Sequence, residues 1–211
     1  MTSAPKRAAA ILGVIVIAAL ALVFLTARPG NRAAEQPRHA TVLPERLPLP
    51  AFELRDHRGE PFTRDSLAGH SSLLFFGFTH CPDICPATLT QLAAARSRVA
   101  EETGLPAEAL PEIVLISVDP ERDTPDALRR YVEYFGTGIT GVTGDAGEIE
   151  QLTSALGIYH EKAETATGDY TVNHSTAVLV VDEDASLMAL FSAPHKPEYF
   201  ARDLPLLMAA Q

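Results

Sequence analysis

The sequence predicts an α/β domain, a mixed central sheet with flanking helices, preceded by one N-terminal transmembrane helix. Three observations lead there. Residues 72–78 (SLLFFGF) and 113–119 (IVLISVD) are largely apolar runs of strand length, each followed by apolar residues at helical spacing. Residues 177–181 and 187–191 are two shorter apolar runs on either side of the turn-forming DEDAS. Residues 8–27 carry no charge over 20 positions, enough for a helix to cross a hydrocarbon layer about 30 Å thick.

At the N-terminus, Lys6 and Arg7 precede the apolar run and Arg28 and Arg32 follow it. The run is longer than the apolar part of a secretory signal, and its exit, TARPG, is a poor cleavage site, which favours a retained anchor. Residues 1–7 then lie in the cytoplasm. The expected location is a bacterial plasma membrane, crossed once, with the C-terminal domain on the periplasmic side. Residues 28–50 are rich in proline and arginine and lack periodicity, as in an extended tether. The folded domain is expected over residues 51–211, long enough for a core of its own without a disulfide staple. Residues 45–211 hold twelve basic and 26 acidic residues, a net charge of −14. Nucleic-acid binding, which wants a basic face, is excluded as a function class.

Within the domain, residues 52–62 read as two short strands around a turn at 56–59. Residues 72–78 read as a strand buried on both faces, ending at Cys81. A helix follows from Pro86, where the missing N–H is tolerated in the first turn. Residues 113–119 form the next buried strand. Residues 124–135 form a helix with a Thr cap, a proline and then Asp126. Residues 145–156 form a third helix closed by Gly157, and 198–208 a last helix disturbed at Pro205. Strand–helix–strand requires a right-handed crossover and a parallel pair, and the closing hairpin adds antiparallel strands. With two cysteines at the junction of the first long strand and its helix, the arrangement is thioredoxin-like.

Cys81 and Cys85 are the only cysteines in the chain, in the order C-P-D-I-C. Free backbone N–H groups and the helix dipole favour thiolates at such a junction. The three-residue spacing leaves room for an ion between the sulfurs and still allows a disulfide. Two soft thiolates suit Cu(I) first and Zn(II) second, and a closed zinc site wants four protein ligands. A third ligand is expected among the seven histidines. His80 should point away from Cys81, and His160 and His195 should be solvated. His174 precedes a buried strand, and the loop entering that strand faces the cysteine motif in a thioredoxin-like sheet. His174 is the candidate third ligand; a plain loop histidine is the alternative on topology alone.

Three stretches, FFGFTHCPDICPATL (75–89), ISVDPERDTP (116–125) and DYTVNHS (169–175), resemble the Sco/SenC family of copper-binding assembly proteins. The resemblance spans most of the domain and includes the anchor and tether. It implies a membrane-tethered thioredoxin fold binding copper, as Cu(I) or also Cu(II), through Cys81, Cys85 and His174. It also implies a part in building the CuA centre of cytochrome c oxidase subunit II, by delivering copper or by reducing the target's cysteines. Asp119 matches an acidic position near the metal loop, expected to hold a ligand or a proton from behind; a strand-end cap is the alternative. Copper binding needs both thiols reduced, so a thiol reductase is an expected partner, and an upstream copper chaperone a further one.

The competing reading is a thiol–disulfide oxidoreductase with Cys81 and Cys85 as its redox pair. Against it stand the longer spacing and a histidine, not a proline, in VNHST. A peroxidase would place Thr three residues before the reactive cysteine, and position 78 is Phe. A copper sensor signalling through the tether would have only residues 1–7 beyond the span.

Overall fold

The computed structural model describes residues 35–165 and 168–210. The expected membrane span at 8–27, residues 1–7 and the first part of the tether lie outside the described residues. Among those described, no helix is long and apolar enough to cross a membrane.

Ten strands and four α-helices follow one another along the described chain. Strands β1 (Ala40–Pro48), β2 (Glu53–Asp56), β3 (Pro61–Thr63) and β4 (Ser72–Gly77) come first. Helix α1 (Ile84–Thr103), β5 (Glu112–Ser117), α2 (Pro125–Glu133), β6 (Ile139–Gly144) and α3 (Ala146–Ala155) follow. Strands β7 (His160–Glu164), β8 (Tyr170–His174), β9 (Val178–Val181) and β10 (Ser186–Phe191) precede the last helix, α4 (Pro197–Met208). Eight strands form one mixed sheet in the order β1-β10-β9-β4-β5-β6-β2-β3, and β7 and β8 form a separate two-stranded sheet. β4, β5 and β6 are parallel and the other pairs antiparallel.

The centre follows from the apolar runs. Every residue of β4 is buried, as are the last five of β5, so both faces of the middle of the sheet are covered. Leu74, Phe75, Phe76, Val114, Leu115 and Ile116 are fully buried, each contributing about 1.5–3 kcal/mol. Thr124 caps α2 by accepting from the Ala127 amide, with Pro125 in the first turn. Asp145 caps α3 through the Gly147 amide.

Several expectations change. Part of the expected tether is folded: β1 lies within residues 28–50 and pairs with β10 along the sheet edge. Pro44 is accommodated because the ladder breaks between Val42 and Leu47 and an edge strand tolerates a missing donor. The segment is fastened further by Asp203 of α4, whose Oδ2 accepts the amides of Arg38, His39 and Ala40 at 2.9, 2.6 and 2.9 Å. Burial opposes ionisation of Asp203, but those amides and Arg202 outweigh it and hold its carboxyl below the usual range. α1 begins two residues before Pro86, so Cys85 lies within its first turn. α4 continues through Pro205. β6 and the β7–β8 hairpin are elements that the sequence reading lacks.

Candidate metal centre

β4 ends at Gly77, and the chain turns through residues 78–83 into α1. The Cys81 amide bonds to the Phe78 carbonyl at 3.3 Å, and Cys85 lies one turn on, its amide 3.4 Å from the Cys81 sulfur. Gly77 decides how deep that turn sits. A Cβ there would lie 2.9 Å from Cys85 Sγ, 3.1 Å from Phe75 and 3.2 Å from Leu115. Cys85 is thereby fully buried, while Cys81 keeps 8 % exposure. Both are free thiols.

His174 ends β8 and reaches the cysteines from the other sheet. Its Nε2 stands 3.4 Å from Cys85 Sγ, and its Nδ1 is 2.9 Å from the Ser175 carbonyl. A carbonyl only accepts, so Nδ1 carries a proton, and Nε2 is the ring nitrogen that faces the sulfur. Phe75 and Phe78 meet the ring edge-on at centroid distances of 6.0 and 5.8 Å, which fixes its plane. One ligand atom each from Cys81, Cys85 and His174 falls within 4.8 Å of the others, the one such cluster found among the described residues. A cleft of about 270 Å³ opens beside them, lined by Phe78, Cys81, Ile84, Val172 and His174 among others.

The hydrogen bond from Cys85 pulls the Cys81 thiol down to about 4, against its burial and with help from His174. The same bond and burial push Cys85 strongly up. The pair is thus polarised, with negative charge favoured on Cys81 and the proton favoured on Cys85. Two sulfurs and one imidazole at this spacing fit a soft cation of low coordination number.

The other histidines are engaged elsewhere. His80 is exposed, its Nδ1 3.9 Å from Asp123 Oδ1, and is not a member of the cluster. His160 and His195 are not solvated as expected. His160 Nε2 is 3.1 Å from Glu150 and 3.2 Å from the Thr153 hydroxyl, both of α3, and His195 Nε2 is 2.7 Å from the Thr176 carbonyl with its ring 5.8 Å from that of Phe200 of α4.

Asp119 is fully buried, and its bonds go to Arg122 and to the Tyr170 hydroxyl at 2.8 Å, not to the cysteines or His174. The carboxylate beside the cysteine loop is Asp123. It accepts the Thr79 amide at 3.0 Å and the hydroxyls of Thr79 and Ser117. Sequence reasoning missed Asp123, Arg122 and Tyr170, although two of them lie in ISVDPERDTP and one in DYTVNHS.

A model of the SCO1/SenC family matches residues 43–209. The chain belongs to the SCO1/SenC family. It is 36% identical over 194 residues to a Stutzerimonas stutzeri protein named for copper binding, covering 92% of this chain and 93% of that one. It is 34% identical over 160 residues to the human mitochondrial protein SCO2 homolog, covering 75% of this chain but 59% of that one. It is 37% identical over 144 residues to Arabidopsis thaliana SCO1 homolog 1, covering 68% of this chain and 42% of that one. Among solved structures it resembles copper-bound ScoI of Arabidopsis thaliana (TM-score 0.71, 33% identity, 77% of this chain and 98% of that one). It also resembles copper-bound ScoI of Bradyrhizobium japonicum (TM-score 0.67, 34% identity, 75% and 98%). The thioredoxin-like α/β fold expected for this SCO1/SenC chain is the fold observed.

Proposed function

We propose that this SCO1/SenC protein carries copper on Cys81, Cys85 and His174 and hands it to the CuA site of cytochrome c oxidase subunit II. The observation that carries the reading is the convergence of two thiols and an imidazole nitrogen within 4.8 Å, the thiols from the turn and helix after β4 and the imidazole from β8 of the separate two-stranded sheet. The donor set suits Cu(I), and the imidazole leaves Cu(II) within its range. Support comes from the copper-bound ScoI structures at 33% and 34% identity. A neighbour of 20% identity is titled a member of the Sco family of cytochrome c oxidase assembly proteins, a likeness that bears on the fold alone. In this reading residues 8–27 hold the domain at the periplasmic face of the plasma membrane, a thiol reductase keeps the pair reduced, and an upstream chaperone supplies the metal.

The test is metal analysis with X-ray absorption on the reduced full chain in detergent. One copper per chain with two sulfurs and one nitrogen is expected. His174→Ala should lose the nitrogen and weaken Cu(I) retention; unchanged affinity in that variant removes the imidazole from the site.

A second reading, thiol–disulfide exchange, has its own support: two free thiols one helical turn apart, the Cys85 amide 3.4 Å from the Cys81 sulfur, with ionisation favoured at Cys81 over Cys85. Cys81 would attack a target disulfide, and Cys85 would resolve the mixed disulfide. Two electrons and two protons pass to the target and a Cys81–Cys85 disulfide remains. Reduction of a cysteine-pair peptide by the metal-free protein, one disulfide formed per disulfide reduced, tests it.

A further inference from the structure

The three donors come from segments that the main sheet does not join. Cys81 and Cys85 follow β4 in its centre, whereas His174 rides on the separate β7–β8 pair. A two-stranded ribbon is marginal by itself, so something must set where His174 stands. Residues 118–124, between β5 and α2, touch both sides. On the cysteine side, Asp123 grips Thr79 through its amide and hydroxyl. On the hairpin side, Arg122 Nη1 donates to the Tyr170 carbonyl at 3.0 Å, and its guanidinium lies 3.8 Å from the centre of the Tyr170 ring. Asp119, fully buried, receives Arg122 Nε and the Tyr170 hydroxyl. Burial first, then the bond to Asp119, push Tyr170 up to about 12, so it remains a donor. Tyr170 and His174 are four residues apart on one strand, an even spacing that puts both side chains on the same face.

We propose that Arg122 is a positioning residue for His174. With Asp119 and Tyr170 it clamps β8, while Asp123 of the same loop clamps the cysteine turn, and the loop fixes the distance between sulfurs and imidazole. The inference rests on the copper reading above. Arg122 is suited because its planar fork bonds a carboxylate and a carbonyl while its face stacks on an aromatic ring, which a lysine cannot reproduce.

The experiment measures Cu(I) affinity of the reduced full chain by chelator competition, for Arg122→Gln and Tyr170→Phe, each in the native and His174→Ala backgrounds. Nitrogen ligands are counted by X-ray absorption. In the native background Arg122→Gln is expected to weaken binding about 10-fold or more, the range for groups that orient a ligand. Its nitrogen signal should fall while both sulfurs remain. In the His174→Ala background it should change nothing further, because the effect passes through the ring. Tyr170→Phe, a milder change that keeps the aromatic face, should show the same pattern at several-fold, and it carries the test if Arg122→Gln fails to fold. Equal losses in both backgrounds, or full affinity in Arg122→Gln where His174→Ala has lost it, would overturn the inference alone. Full affinity in His174→Ala would overturn the metal reading together with it.

Discussion

The cysteine turn and the β7–β8 hairpin meet at one cluster but are held by different physics. Behind the cysteines stand Phe75 and Leu115, both fully buried, and Gly77, whose missing side chain admits the sulfur. Among the residues of the hairpin's two strands, Val172 is the one well-buried apolar residue. It is fastened by polar contacts of Arg122 and Tyr170 and by an exposed Lys162–Glu121 pair at 2.7 Å. A close-packed interior resists displacement, while few apolar contacts and exposed polar ones mark the low-stability end of a fold. Two donors are therefore set by the core and the third by side-chain clasps.

The largest expected effect is on the core-set half. Cys85→Ser should lower Cu(I) affinity by more than about 100-fold, beyond the range for groups that only orient ligands; chelator competition measures it, and a smaller loss than that of His174→Ala would reverse the ranking of the halves. Gly77→Ala comes next. The added methyl must displace Cys85 or its neighbours, at a cost of about 1–3 kcal/mol, read as a lower denaturant midpoint with faster alkylation of Cys85. Native reactivity and midpoint would mean that the turn is not packed as described. Asp203→Ala serves as a change remote from both halves. It should cost about 1–2 kcal/mol through the amides it leaves unpaired, with Cu(I) affinity unchanged. The depressed carboxyl has a definite acid signature. Its stabilisation is complete above the ordinary carboxylate pKa of about 3.9 and is lost as pH falls through the lower folded value. Asp203→Asn should therefore flatten the acid limb of the stability curve. The smallest effect is that of Lys162→Ala: global stability unchanged, but faster amide hydrogen exchange confined to residues 160–164 and 170–174. Exchange in the hairpin as slow as in β4 would erase the distinction between the regions.

The same contrast governs how much could be read in advance. β4 and β5 were legible because burial on both faces writes a continuous apolar run, α2 because Thr124 is a local cap signal, and α3 because Gly157 marks its end. β1 was hidden by prolines that only an edge strand accepts. β6 was hidden by Gly141, which is needed because a Cβ there would lie 3.1 Å from both Leu128 and Val132 of α2. β7 and β8 bury too little to show alternation. In the site, the cysteines announced themselves by spacing, and His174 followed once the topology was assumed. Arg122 and Asp123 did not, because their partners lie 48 and 44 residues away in sequence, and no local pattern encodes such a pairing. Asp119 was found but with a different task, bound to Arg122 and Tyr170 instead of touching the donor cluster.

Gly77 has a bearing on chemical lifetime as well as on packing. A sulfur recessed into the sheet presents little surface to peroxide or to a foreign disulfide, and access governs how fast a thiol is oxidised. The hydrogen atom in place of a methyl group at the end of β4 thus shelters one member of the pair while Cys81 keeps its outlet to the cleft. Resistance to oxidative damage is in this way set by a residue with no reactive group of its own.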